Sequence, residues 1–154
     1  MRKVLFPVVL TVLLVAFFGC AQPEKKPEWQ FEVGTDVAEY EAPEVSEWSP
    51  VFVVNLKVIG GNNDVLFNGK VTVKSDAQLV SEALKAAMTE KGLAQEGIDM
   101  GFVTLLGDYA NNAETNTYWL YSVNDVDSPS WGCNQYQMRD GDYILWEYKV
   151  VTFD

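Results

Sequence analysis

Apolar and polar residues alternate along Val51–Ile59, placing Phe52, Val54, Leu56 and Val58 on one side in the period-two pattern of a half-buried strand. Gly60-Gly61-Asn62-Asn63-Asp64 follows as a turn, and 65–73 reads as a second strand. Within it, Asn68-Gly69 is a dipeptide that favours a tight hairpin and so a break. From Ser75 to Lys91 the period changes to that of a helix. Leu79, Ala83 and Met88 with Val80, Leu84 and Ala87 form one apolar stripe, Ser75 and Gln78 have capping-box spacing, and Gly92 sits where a left-handed C-cap belongs. Met100–Leu106 reads as a third strand and Asp108–Asn116 as a polar turn. Two aromatic strands close the chain: Trp119, Tyr121 and Val123 oppose Tyr118, Leu120 and Ser122, while Ile144, Trp146 and Tyr148 oppose Tyr143, Leu145 and Glu147. Two strands, a helix and three strands predict an α+β domain, a mixed sheet of about five strands on one main helix.

The ends of the chain have a different character. Residues 1–19 start with Arg2 and Lys3, continue as an apolar run and end at Gly19-Cys20, the layout of a secretory signal peptide. The ending Phe17-Phe18-Gly19-Cys20 resembles a bacterial lipoprotein cleavage box, which predicts Cys20 as a lipidated N-terminus and a cell-envelope location, anchored in a membrane and facing outside the cytoplasm. Residues 20–50 carry four prolines and many glutamates, a composition that buries too little apolar surface to offset its ordering entropy. The expectation is an acidic tether over 20–50 and one folded domain over 51–154, with Trp29, Phe31 and Val33 able either to dock as an edge strand or to stay mobile.

Charge and residue types narrow the chemistry. The net charge is −11, and removing residues 1–19 takes two cations and no acid, leaving −13. So acidic a chain repels phosphate backbones, which argues against nucleic acid as a partner. It has no histidine, and so neither the usual general base nor the commonest transition-metal ligand. Cys133 would be the sole free thiol once Cys20 is acylated. With no histidine to activate it, it reads as a small buried residue and not as a nucleophile. Asp125, Asp127, Asp140 and Asp142 lack the twelve-residue calcium-loop pattern and read as turn residues. No catalytic constellation emerges, and no metal site.

What stands out is the stretch 117–148, which holds three of the five tryptophans and five of the seven tyrosines. Strand alternation sends half of those rings inward. In the connection from Asn124 to Asp140 burial is least forced, and there Trp131 and Tyr136 stand beside the amides of Asn124, Asn134 and Gln135. Rings beside amides suit a large, flat, partly polar ligand. These five residues are the candidate ligand-binding set. A different class of function uses the same aromatic connection to contact another protein, as an interaction or adhesion module.

The order Tyr118-Trp119, Tyr121, Val123-Asn124, then Gly132, Tyr136 and Asp140-Gly141-Asp142 followed by Ile144 and Trp146, resembles the transcobalamin-like C-terminal domain family over about residues 51–153. The resemblance implies a β-grasp-like domain of the soluble-ligand-binding type, with a corrinoid (cobalamin-like) ligand and no catalysis. In that family's vertebrate carriers this domain caps a ligand held against a large helical domain, and a histidine can reach the cobalt. This sequence shows neither feature, which implies weak binding or a partner protein that completes the site.

Overall fold

In the computed structural model, which describes residues 32–127 and 132–152, one mixed sheet organises the chain. Its strands are β1 (Asp36–Glu41), β2 (Val51–Ile59), β3 (Val65–Lys74), β7 (Thr117–Val123), β8 (Val126–Asp127) and β9 (Tyr143–Val150). They lie in the order β1-β3-β2-β9-β7-β8. The β1–β3 and β2–β9 pairs are parallel, and the other pairs are antiparallel. Among the described residues a single α-helix, α1 (Val80–Glu90), crosses one face, mainly over β1 and β3. After it, β4 (Gln95–Glu96), β5 (Leu105–Leu106) and β6 (Tyr109–Ala110) form a small antiparallel sheet. The mixed α+β class is as expected, but the main sheet has six strands, not five.

The covered face of β2 is the apolar one that alternation marked, and on β7 and β9 the structure buries one of the two opposed sets. Phe52, Val54, Leu56 and Val58 of β2 are buried against Phe67, Val71 and Val73 of β3, Trp119, Tyr121 and Val123 of β7, and Ile144 and Trp146 of β9. Cross-strand register lines these up: Phe52 opposes Val73, Val58 opposes both Phe67 and Trp146, and Trp146 opposes Tyr121. Val80, Ala83, Leu84, Ala87 and Met88 of α1 close over them, all buried. On the opposite face the side chains are half-buried or exposed, Val51, Val53 and Leu120 among the exposed ones.

Three local expectations change. The first is the domain start. The span 20–50 was read as a tether on composition, yet β1 lies inside it, paired along its length with β3 and burying Ala38. Asn68-Gly69 explains why. Instead of breaking β3 it holds β1: the Asn68 side-chain oxygen accepts the Gly34 N–H at 2.9 Å, and the Asn68 backbone N–H donates to Asp36 Oδ2 at 2.8 Å. A Cβ on Gly69 would lie 1.8 Å from the Asp36 carbonyl oxygen, so only glycine admits β1 at this separation. Trp29, Phe31 and Cys20 lie outside the described residues.

The second is the helix start. Gln78, expected inside a capping box with Ser75, has φ +57°, a left-handed conformation that cannot continue a helix. The helix begins at Val80, and Glu82 does the capping. Its carboxylate accepts the Leu79 N–H at 2.8 Å and the Ser75 hydroxyl at 2.6 Å. The C-terminus is as expected: Gly92 at φ +63° donates to Thr89 O, and Leu93 donates to Met88 O, the paired bonds of a Schellman ending. The third is Met100–Leu106. Only Leu105–Leu106 is strand; Ile98–Met100 is a 3₁₀ turn bracketed by Gly97 and Gly101, both at φ +81°.

Candidate ligand-binding loops

An α-helix leaves its first N–H groups without intrahelical partners. In α1 a segment distant in sequence supplies them. Val80 N–H donates to Tyr136 O at 3.1 Å and Ser81 N–H to Cys133 O at 2.9 Å, while Met138 N–H donates back to Gln78 O at 2.7 Å. Residues 132–138, the second half of the aromatic connection, are therefore fixed to a rigid helix end although they belong to no strand.

The same segment grips the 3₁₀ turn. Cys133 N–H donates to Gly101 O at 3.2 Å, the Asn134 amide donates to Asp99 O at 3.0 Å, and the Cys133 thiol reaches Ile98 O at 3.6 Å. The two backbones nearly touch. A Cβ on Gly101 would meet Asn134 Oδ1 at 2.2 Å, and one on Gly132 would sit 3.1 Å from the Gly101 Cα. Here glycine is required twice over, for the left-handed φ of Gly101 and for the close approach. Cys133 is fully buried between the loops, and burial pushes its thiol up to about 11. It remains a neutral, unreactive thiol at neutral pH, consistent with its reading as a packing residue.

The clamp holds two apolar side chains out to solvent. Met100 is 77% exposed and Phe102 57% exposed, on either side of Gly101. On the turn's other flank Asp99 pairs with Lys85 of α1. That ion pair lines a polar cleft of about 380 Å³, together with Thr89, Gln95 and Tyr40. The turn thus offers an apolar tip beside a polar wall, both on a backbone immobilised by hydrogen bonds.

The five predicted site residues fare differently. Asn134 is at the centre of the clamp, with its amide committed to Asp99 O. Gln135 is exposed beside it. Tyr136 is half-buried, edge-on to Tyr121 with ring centroids 6.3 Å apart, and packs against the core. Asn124 is engaged elsewhere: at φ +55° it turns the chain after β7, accepts the Tyr143 N–H at 2.9 Å and donates to Asp142 Oδ1 at 2.8 Å. Its side chain ties β7 to β9, with one N–H and one lone pair of the amide committed to that structural duty. Trp131 lies outside the described residues. Asp142 accepts the Arg139 N–H at 2.8 Å, which is turn chemistry, while Asp140 accepts the Val53 N–H of β2 at 2.8 Å, a long-range tie. No group of three metal-ligating side chains occurs among the described residues.

Comparison with known proteins places these loops in a wider context. A family model described as a domain of unknown function (DUF4430) matches residues 77–150, a span that begins just before α1, ends with β9 and contains both loops. Among solved structures the chain is similar to haptocorrin in complex with Cbi, at 18% identity and a TM-score of 0.51 over 69% of this chain. That match covers 27% of haptocorrin, so the chain corresponds to about a quarter of it. It is also similar to a protein of Ruminococcus gnavus described as a candidate metal-binding protein, at 18% identity and a TM-score of 0.49, over 66% of this chain and 99% of that one. No curated protein matches. At these identities the likeness to haptocorrin is one of fold.

Met100 and Phe102 are the residues that sequence reasoning missed. They fall in Met100–Leu106, which reads as a strand and not as a turn. The available signal was the pair Gly97 and Gly101, four residues apart around Asp99, a spacing better suited to a tight turn than to a strand interior.

Proposed function

We propose that this chain is a lipid-anchored, extracytoplasmic binding module of β-grasp-like architecture. It captures a large, flat, partly polar ligand of the corrinoid type on the paired loops and performs no catalysis on it. The observation that carries this reading is the presentation of Met100 and Phe102 on a turn locked to the Asn134–Tyr136 segment. Exposed apolar side chains on a pre-organised backbone bind without an ordering cost, whereas on a mobile loop that cost is subtracted from affinity. Gln135 and the Lys85–Asp99 pair offer polar contacts at the edge of such a ligand. The resemblance of the Tyr118–Trp146 pattern to the transcobalamin-like family supports the corrinoid class, as does the likeness of fold to haptocorrin. The buried, neutral Cys133 thiol fits a binding role better than a chemical one. With no histidine available to cobalt, recognition falls on the ring edges and faces, and a partner protein closing over the ligand would complete the site.

A visible-absorbance titration with cobalamin tests the reading. Saturable binding is expected, and Phe102→Ala and Trp131→Ala should each weaken it by about 2 kcal/mol, the scale of an aromatic hot spot. Their melting temperatures should stay near that of the parent, because Phe102 is mostly outside the core. Absence of any spectral change with the parent protein would remove the corrinoid class. Unaltered affinity in both variants would move the site away from these loops.

The anchor has its own test. Cys20→Ser should abolish partitioning into the detergent phase, because membrane attachment would rest on the acyl chains of Cys20. Unchanged partitioning would assign anchoring to another feature.

A further inference from the structure

The connection from β1 to β2, residues 42–50, has no part in the ligand-binding reading. It is tightly built. Ala42 N–H donates to Lys74 O at 3.0 Å at one end, and Ser75 N–H donates to Pro50 O at 3.2 Å at the other. Between them a serine-bonded turn forms: Ser46 N–H donates to Ser49 Oγ at 2.9 Å, Ser49 N–H to Ser46 O at 3.2 Å, and Trp48 N–H to Ser46 Oγ at 3.2 Å. Ser49 is buried by this arrangement, and Trp48 is left 86% exposed, the most exposed large apolar side chain among the described residues. Tryptophan is among the side chains enriched in the cores of protein interfaces, and here an ordered turn holds one in water.

Next to this turn a groove of about 460 Å³ runs between residues 42–45 and 75–77. Pro43, Val45 and Ala77 line it, with the exposed carboxylates of Glu44 and Asp76. Neither carboxylate is in an ion pair among the described residues, and Lys74, the neighbouring cation, is already paired with Glu41 at 3.1 Å. Glu47 adds a further exposed acid beside Trp48.

We propose that the Trp48 turn and the adjoining groove form a docking surface for a lysine- or arginine-bearing extended segment of a partner protein. Three features of this surface suit successive side chains of such a segment. The indole face attracts a cation through its quadrupole, the unpaired carboxylates neutralise the head group, and the Pro43–Val45–Ala77 lining accepts the aliphatic stem. An anionic lipid surface or a nucleic acid fits poorly, because the net charge of −11 repels both.

The test uses the full chain and a fluorescein-labelled peptide of alternating lysine and alanine, followed by anisotropy at low and at physiological ionic strength. Binding by the parent is expected at both. Trp48→Ala and the double variant Glu44→Gln/Asp76→Asn should each weaken it roughly tenfold. Glu114→Gln, which removes an exposed charge on the turn before β7, should leave it unchanged. Melting temperatures of all variants should match the parent. The proposal is overturned if Trp48→Ala binds like the parent, if Glu114→Gln weakens binding as much as the groove variants, or if a glutamate–alanine peptide binds equally well. It is also overturned if Trp48 instead drives self-association in sedimentation or attachment to zwitterionic vesicles, or if Trp48→Ala unfolds the domain.

Discussion

Replacing Trp146 by alanine is expected to lower the unfolding free energy by about 3–5 kcal/mol, among the largest losses any single truncation in this domain should cause. The ring is 1% exposed and leads the fully buried side chains in volume. It sits on β9, between Val58 of β2 and Tyr121 of β7, and stacks on Tyr121 at 4.9 Å between centroids with 29° between planes. Its loss would open a cavity where the two halves of the sheet meet, and β9 cannot collapse into the gap while its backbone is paired on both sides. Trp146→Phe should cost much less. The indole N–H is buried with no acceptor among the described residues, so phenylalanine removes a donor left unsatisfied there while keeping much of the packing. Urea unfolding followed by circular dichroism measures both. An alanine variant within about 1 kcal/mol of the parent would mean that the ring is not central to the core.

Leu84→Ala is expected to cost about 2–5 kcal/mol, while Lys85→Ala, one residue on, should be close to neutral. Leu84 faces the sheet and is fully buried. Lys85 looks outward to Asp99, whose side chain is 83% exposed, and a water-screened pair of this kind contributes at most about 1 kcal/mol. The contrast also bears on the site. If Lys85→Ala leaves stability intact but alters cobalamin affinity, the polar wall beside the turn takes part in recognition. Equal stability losses at the two positions would show that the helix presents a different face to the sheet.

Legibility from sequence followed the range of the interactions involved. Val51–Ile59 was readable to the residue because alternation is local and β2 sits at the middle of the sheet, where one face must be buried. The helix stripe was readable for the same reason, and Gly92 because a left-handed ending favours glycine. For the candidate site, composition marked residue types alone, the rings and amides outside a strand pattern; that Asn134 bonds the turn at Asp99 O came from the fold. Asn124 looked identical in sequence, yet its left-handed backbone turns its amide to Asp142 and Tyr143.

Periodicity and composition thus sufficed for the α+β class, the apolar faces of β2 and α1, the two opposed faces of β7 and β9, the acidic charge and the lack of histidine. These follow from periodicity and side-chain chemistry, which need no knowledge of distant neighbours. Only the tertiary structure decided that β1 joins the sheet, that the helix starts at Val80, and that the Gly101 turn locks onto Cys133–Asn134 with Met100 and Phe102 outward. Each of those outcomes rests on a hydrogen bond or a close approach between segments about thirty or more residues apart, or on a backbone conformation imposed by such a contact. Composition ranked β1 as tether because its residues bury little on their own. The Asn68 and Gly69 contacts that hold it are invisible until β3 is laid beside it.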